Sequence, residues 1–383
     1  MIYFLYFALL YLFITSAVLI RNWFEFKGLI DTSPSTDTIQ PFVSICIPAR
    51  NEETVIERCV TSALKQDYPN FEVLVLDDNS TDKTTEILSQ LSGIIANLKH
   101  LKGAPKPDDW LGKPWACHQL SEAAKGKVLV FIDADVWLDP ETLIKTVAIL
   151  KEQDAVTIWP QQKLETFWEN TIVPLVYFAL FTLLPSKYVE RSPRWMPSLF
   201  DSFFRPRFVS ACGQFFAFNK STYQTIDGHR SVKDRVVEDV ELAKNLKSHN
   251  FKLQMFHGIN SVYCRMYSSH SQIWNGFKKN FLAGFGNIFE FVFMGIVHFF
   301  VFLFPLYTLI QSLISQQIQL IILSVITILI VYFQRIALSI RFKWNIWFTF
   351  LHPISVLWFQ ILALVSLKNK LIGIKNSWKG REV

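Results

Sequence analysis

Val128-Leu129-Val130-Phe131-Ile132-Asp133-Ala134-Asp135-Val136 is the stretch on which the reading of this chain turns. Its opening run of apolar residues, β-branched and aromatic types among them, describes a strand buried on both faces. Two carboxylates separated by alanine follow where that strand should end. Residues i and i+2 of an extended backbone point to the same side, so Asp133 and Asp135 can converge on one cation or ligand. Open α/β sheets bind ligands beyond the carboxyl ends of their strands, which is where this pair falls. The plainer alternative is a helix N-cap, because Asp139-Pro140-Glu141 opens the next helix. That cap uses Asp139 and leaves the earlier pair unexplained.

Upstream the pattern repeats. Phe42-Val43-Ser44-Ile45-Cys46-Ile47-Pro48 predicts a strand, and Ala49-Arg50-Asn51-Glu52-Glu53 its exit loop into a helix reaching about Lys65. Phe71-Glu72-Val73-Leu74-Val75-Leu76 predicts a second strand, ending in Asp77-Asp78-Asn79-Ser80-Thr81-Asp82, with a helix from Lys83. Strands alternating with helices point to a parallel sheet with covering helices. Pro48, Asp78 and Asp133 then open three strand ends on one rim. Neither a dinucleotide glycine fingerprint nor a Gly-Lys-Ser/Thr phosphate loop is present. Gly112-Lys113, ahead of a helix, would set a cation and helix-end amides near a phosphate, although a lysine alone is usually a solvated surface residue. Downstream, Cys212 to Phe218 predicts a strand, Ile226 to Arg230 a turn, and Glu238-Asp239 the start of a helix. Helix-dipole stabilisation alone accounts for acidic residues in a first turn. Beside an acidic rim, the pair reads as catalytic.

The two ends of the chain differ in kind from this middle. Met1 to Ile20 carries no charged side chain, and twenty helical residues span about 30 Å, the thickness of a hydrocarbon core. Arg21 and Lys27 follow the apolar run rather than preceding it, unlike a secretory signal. The positive-inside rule puts the N-terminus outside and the following residues in the cytoplasm. Asp31 to Gln40 reads as a polar linker. Phe167 to Leu184 is interrupted by Glu169 and Pro174 and reads as an interfacial or buried helix. Arg191 to Phe208 mixes arginines with Trp and Phe, suiting either lipid head groups or a packed core.

Phe291 to Gln334 lacks Asp, Glu, Lys and Arg, which suits two spans joined near Gln311 to Gln319, with Arg335, Arg341 and Lys343 following. Trp344 to Leu367 is again uncharged, with His352-Pro353 in its middle. A full third span there would carry the basic tail (Lys368, Lys370, Lys375, Lys379, Arg381) outside. A re-entrant or interfacial segment bent at Pro353 would keep the tail in the cytoplasm, and this reading favours that bend. The expected division is an N-terminal span over 1–22, an α/β domain over 41–285, a membrane region over 290–367 and a basic tail over 368–383. Composition agrees: 51% of residues are hydrophobic, 35 are Phe and only 18% are charged, too apolar for an ordinary soluble protein. A net charge of +6 is modest and argues against a nucleic-acid partner. The 5 cysteines show no Cys-x-x-Cys spacing, which speaks against zinc and a disulfide framework and suits a reducing compartment.

Carboxylates at one rim with a hard divalent cation suit a diphosphate, whose charge the metal neutralises as it leaves. A separate carboxylate can deprotonate an incoming hydroxyl. Together they describe group transfer from an activated nucleotide donor. Ile47-Pro48-Ala49-Arg50-Asn51-Glu52-Glu53, Asp77 to Asp82, Gly112-Lys113, Asp133-Ala134-Asp135 and Glu238-Asp239, in this order and spacing, resemble the membrane-bound members of glycosyltransferase family 2. The resemblance covers roughly Phe42 to Trp274 and the last few residues. Finer details resemble the carotenoid-acid (diaponeurosporenoate) glucosyltransferases: Ala116-Cys117, Gly228-His229, Arg265-Met266-Tyr267 and Trp378-Lys379-Gly380-Arg381.

The resemblance implies a GT-A fold, a Rossmann-like, mostly parallel α/β sheet, joined to transmembrane helices. It also implies an inverting transfer of one sugar from a nucleotide-sugar donor, expected to be a UDP-sugar, to a lipid-soluble acceptor. It assigns donor binding to Pro48, Arg50, Glu52, Asp78, Lys113 and Asp133, and Mg²⁺ or Mn²⁺ to Asp133 and Asp135. Asp239 is the family's usual general base, with Glu238 beside it. Processive synthases of the family carry Gln-x-x-Arg-Trp where this chain has Gln272-Ile273-Trp274-Asn275-Gly276, so single transfer fits better than polymer extrusion. Trp274 is expected to cover acceptor or donor, and Lys278 or Lys279 to face the diphosphate. The competing readings are a polysaccharide synthase of the same family and a non-catalytic membrane scaffold. The membrane-tethered catalytic domain is expected on the cytoplasmic side of the cell membrane.

Overall fold

A computed structural model describes all residues except 35–39, 191–192, 194–196, 198–207, 286, 375–376, 380 and 383. The arginine-aromatic segment singled out above falls largely outside the described residues. The chain divides into two compact units. One comprises Phe26–Lys163 and Ser186–Met266, the other Met1–Glu25, Leu164–Pro185 and Tyr267–Val383.

The first unit is built on β1 (Val43–Ala49), β2 (Phe71–Asp77), β3 (Leu98–Lys102), β4 (Val128–Ile132), β5 (Val136–Leu138), β6 (Ala155–Gln162), β7 (Phe215–Asn219) and β8 (Leu253–Cys264). They form one sheet of order β3-β2-β1-β4-β7-β6-β8-β5. The β3-β2-β1-β4 half is wholly parallel, while β7 pairs antiparallel with both β4 and β6. Every residue of β2 and of β4 is buried, as the uninterrupted apolar runs require. The helix Ile56–Leu64 covers one face with Ile56, Cys59, Val60 and Ala63, the three-and-four spacing of one helical stripe. Strand order reverses at β1, which has β2 on one side and β4 on the other. Such a switch point opens a crevice at the carboxyl ends of the two strands that diverge there. Pro48 and Asp133 stand at those ends.

Asp133 and Asp135 do not continue β4. The backbone turns after Ile132, with the Val136 N–H donating to the Asp133 carbonyl at 3.1 Å. The extended-chain argument for their convergence therefore does not describe the pair. A turn brings them together instead, because the chain must leave β4 to enter β5 against β8.

Among its described residues, the second unit contains four helical stretches long and apolar enough to cross a membrane: Ile2–Glu25, Ile288–Ile314, Ile318–Phe342 and Ile346–Leu371. Lipid offers no hydrophobic drive between such helices, so polar contacts and close packing tie them. Gln334 Nε2 donates to the Ser16 hydroxyl at 2.7 Å and to the Thr15 hydroxyl at 3.1 Å, joining two of them. Tyr11 and His298 hydrogen-bond at 3.0 Å, and Ser355 donates to the Thr171 carbonyl at 2.7 Å. Phe167–Ile172 and Pro174–Leu183 are separate short helices that break before Pro174, and Tyr177, Phe178 and Phe181 are buried. The last stretch enters through a 3-10 segment, Ile346–Leu351, and continues unbroken over His352–Leu371. Pro353 thus sits in the first helical turn, where its missing N–H costs nothing.

Candidate active site

Lys113 organises the crevice. It lies in the first turn of the helix Gly112–Ala123, and its Nζ is 2.7 Å from Asp133 Oδ1 and 3.0 Å from Glu238 Oε1. Burial works against its charge, but Asp133 and Glu238 outweigh that and hold its pKa well above the usual lysine value. Lys113 Nζ also lies 3.4 Å from the Gly213 carbonyl, and the Gly213 N–H donates to Asp239 Oδ2 at 2.7 Å. One glycine therefore holds both the cation and a carboxylate of the pair. A Cβ on Gly213 would come within 3.0 Å of Lys113 Nζ, 3.2 Å of Asp239 Oδ2 and 3.3 Å of Glu238 Oε1. A side chain there would require these charged side-chain ends to give by a few tenths of an ångström.

Glu238 and Asp239 open the helix Glu238–Ser248. Asp239 Oδ1 accepts from the Val240 N–H at 2.8 Å, as a first-turn carboxylate does, while Oδ2 reaches across to Gly213. The structure thus gives this carboxylate both the structural role and the position facing the crevice. Burial, with the Glu238 carboxylate alongside, raises the Asp239 pKa to about 6. Pro48, Lys113, Asp133, Gly213, His229 and Asp239 are among the residues lining a cleft of about 290 Å³.

Asp135 occupies the other side of the turn. Its pKa is raised to about 7, first by burial, then by Asp133 and Glu52. Its Oδ1 is buried without a hydrogen-bond partner. An orphaned carboxylate oxygen beside a second carboxylate is what a divalent cation would satisfy. Among the described residues no group of three or more His, Cys, Asp or Glu forms a closed cage. Cations that work on diphosphates commonly take one or two carboxylates and complete their shell with phosphate oxygens and water. Asp133 and Asp135 fit that arrangement.

The loops after β1 and β2 are laced together. Arg50 Nη1 donates to the carbonyls of Asp78 at 2.5 Å and Asn79 at 3.0 Å. The Asn51 N–H donates to the Ser80 hydroxyl at 3.0 Å, and the Glu52 N–H to the Thr84 hydroxyl at 2.8 Å. Asn51 and Asn79 both take positive φ, 52° and 56°, a region asparagine tolerates. Arg50, Glu52 and Asp78 are thus gathered in one loop pair, and Asp78 is buried. Trp274, Lys278 and Lys279 belong to the other unit, on the helix His270–Phe281, where Trp274 packs edge-on against Trp358 at 5.1 Å.

Two residues not assigned a site role from sequence prove central. Gly213 is one. The other is His229, held by Tyr223, whose hydroxyl lies 2.8 Å from Nδ1 and accepts from the His229 N–H at 3.0 Å. Burial lowers the His229 pKa to about 3, so a neutral imidazole lines the cleft. Glycine before it is required twice over: Gly228 has φ +39°, and a Cβ there would lie 2.2 Å from the Tyr223 ring.

Parts of this chain are similar to known proteins. The family model described as "Glycosyl transferase family 2" matches residues 44–178. Residues 44–178 form a glycosyl transferase family 2 domain. A 4,4'-diaponeurosporenoate glycosyltransferase of Staphylococcus haemolyticus is 26% identical over 247 residues, 63% of this chain and 61% of that protein. A beta-monoglucosyldiacylglycerol synthase of Nostoc is 32% identical over 134 residues, 33% of this chain and 28% of that protein. The matches therefore span about three fifths of the first relative's length and under a third of the second's. A mannosyltransferase from Pyrobaculum calidifontis, solved with GDP-Man and Mn²⁺, superposes with TM-score 0.51 at 16% identity, over 96% of this chain and 99% of that one. That likeness speaks to the fold, a GT-A-like mixed sheet with helices.

Proposed function

We propose that this chain is an inverting glycosyltransferase that moves one sugar from a nucleotide-sugar donor, a UDP-sugar in the first instance, to a membrane-resident lipid. The observation that carries this reading is the convergence of Lys113, Asp133, Glu238 and Asp239 around Gly213 at the switch point of the sheet. The linked loops with Arg50, Glu52 and Asp78 supply a polar bed for the nucleoside. Lys113, fully cationic, sits where a leaving diphosphate needs positive charge. A Mg²⁺ or Mn²⁺ held by Asp133 and Asp135 would add to that neutralisation. Asp239 takes the proton of the acceptor hydroxyl or holds the incoming acid. Glu238 keeps Asp239 basic enough to do so and fixes Lys113. No covalent nucleophile is needed for one direct displacement. The relatives named above act on a carotenoid acid and a diacylglycerol lipid, which supports a lipid acceptor, and the apolar helices supply the surface on which to meet it. On this reading the catalytic domain lies on the cytoplasmic side, where Arg21 and Lys27 follow the first span.

Thermal unfolding of the detergent-purified chain with UDP, GDP and dTDP, each with and without Mn²⁺, tests the donor site. A Mn²⁺-dependent rise in Tm with one nucleotide, abolished in Asp135→Ala, is expected. No shift with any nucleotide in a folded sample would overturn the donor assignment.

A further inference from the structure

Behind Asp135 runs a buried hydrogen-bond chain that the transfer reading leaves unexplained. β6 and β8 pair in register from Ala155 opposite Leu253 to Pro160 opposite Gly258, then skip to Gln161 opposite Tyr263 and Gln162 opposite Cys264. The excursion includes Asn260, whose φ is 61°. Irregularities of this kind re-aim side chains and gather beside active sites. This one carries Cys264 to the acidic turn. On its other side β8 sets Cys264 opposite Val136, the residue after Asp135. The Lys163 N–H donates to the Cys264 carbonyl at 2.8 Å and pins that end of the strand.

Side chains complete the arrangement. Gln214 Oε1 accepts from Gln162 Nε2 at 2.9 Å and from the Cys212 thiol at 3.7 Å. With donors on its oxygen, the amide turns Nε2 toward Cys264, 2.9 Å from the sulfur. The sulfur accepts from Gln214, and its own hydrogen goes to the Asp135 carboxylate. Gln162, Gln214 and Cys264 are all buried, so the chain is shielded from solvent. The Gln214 carbonyl also accepts from the Asp133 N–H at 3.3 Å. One residue thus reaches both carboxylates, Asp133 through its backbone and Asp135 through Cys264. A buried cysteine is ordinarily a small hydrophobe. Here strand register, the polarity of the amides and the unpartnered Asp135 Oδ1 agree on a further use. Carboxylates that bind metals are themselves held by outer hydrogen bonds. A thiol is a weak donor, so it directs a carboxylate without drawing off the charge that a cation needs. We propose that Cys264 is a positioning residue of the cation site: its thiol, held by Gln214 and through it by Gln162, orients Asp135 with Oδ1 turned toward a divalent cation. The proposal rests on the reading of Asp133 and Asp135 as that cation's carboxylates.

Titration of the full-length chain in detergent with Mn²⁺, the free ion read by electron paramagnetic resonance, tests it. Cys264→Ala is expected to weaken Mn²⁺ binding about 10–100-fold, with its metal-free Tm near the parent value. Cys264→Ser keeps a donor and should bind Mn²⁺ nearly as the parent does. In the unaltered chain, Mn²⁺ draws charge from Asp135, so the S–H stretching band of Cys264 should move to higher frequency in the infrared difference spectrum. Cys264→Ser, which lacks that S–H, assigns the band. An S–H region unmoved by bound Mn²⁺ would overturn the proposal, and this readout decides even if a variant fails to fold. So would a folded Cys264→Ala that binds Mn²⁺ like the parent while Asp135→Ala does not, or a Cys264→Ser as weak as Cys264→Ala. Equal binding by the parent and Asp135→Ala would instead overturn the cation reading itself, and the proposal with it.

Discussion

Asp239 is partly buried beside a second carboxylate, so its proton comes off near pH 6 rather than near the ordinary carboxylate value. If it acts as the base, kcat/KM rises with pH through about 6 and levels off above. Glu238→Gln removes the neighbouring negative charge, so the rising limb should move to lower pH. Asp239→Asn should lower kcat by about 10²–10⁴-fold with little change in nucleotide affinity. A pH–rate profile of the three proteins checks this. A limb that stays put in Glu238→Gln would separate the limb from Asp239. Gly213 is the other decisive residue. Its φ lies outside the left-handed region, so alanine suits the backbone there, yet the added methyl meets Lys113 Nζ at 3.0 Å. Gly213→Ala should therefore leave Tm near the parent value while weakening nucleotide-sugar binding at least tenfold, as read by calorimetry. Unchanged affinity would mean that Lys113 can shift without loss.

At the level of elements, the strands that build the rim were legible because each is a short apolar run closed by polar residues, and β1, β2 and β4 fall where those runs lie. The acidic termini were legible too, because their residue types have few other uses at strand ends. What could not be read were the closures between distant segments. Gly213 is a hundred residues from Lys113 in sequence, and nothing local says that it will lie between that lysine and Asp239. The turn after Ile132 was missed because an i, i+2 spacing looks the same in a strand and in a tight reversal. Gly228-His229 was visible as a motif, but its reason is the Tyr223 ring six residues upstream. Tyr223, on the helix Lys220–Thr225, holds His229 of the 3-10 segment Gly228–Val232. Gly228→Ala combines positive φ with a collision and should cost about 1–3 kcal/mol, seen as a lower Tm. Retention of the parent Tm would mean that the Tyr223 ring yields easily.

For the whole molecule, the consequential fact is that sequence order and compact units do not coincide. Leu164–Pro185 interrupts the sheet-bearing unit and belongs with the apolar helices. Its Ile172 and Val173 share a buried cluster with Tyr267, Ile273, Trp358 and Leu362. The sequence suggests a boundary near residue 285, since charge-free helices begin soon after. That boundary would separate Ile172 and Ile273 from Trp358 and Leu362. The indole N–H of Trp358 also donates to His270 Nε2 at 2.9 Å, a bond such a cut would remove. A chain ending at residue 285 should consequently expose this cluster and aggregate even in the detergent that keeps the full chain monodisperse, although every strand of the sheet is present. Expression of 1–285 and of the full chain, followed by size-exclusion chromatography in the same detergent, checks this. A monodisperse 1–285 that binds nucleotide as tightly as the full chain would show that the cluster built by Trp358 and Leu362 is dispensable. A soluble donor-binding fragment should instead require removing the apolar helix Ile2–Glu25 as well as replacing Ile172 and Val173 with polar residues, because exposed apolar surface is what drives association.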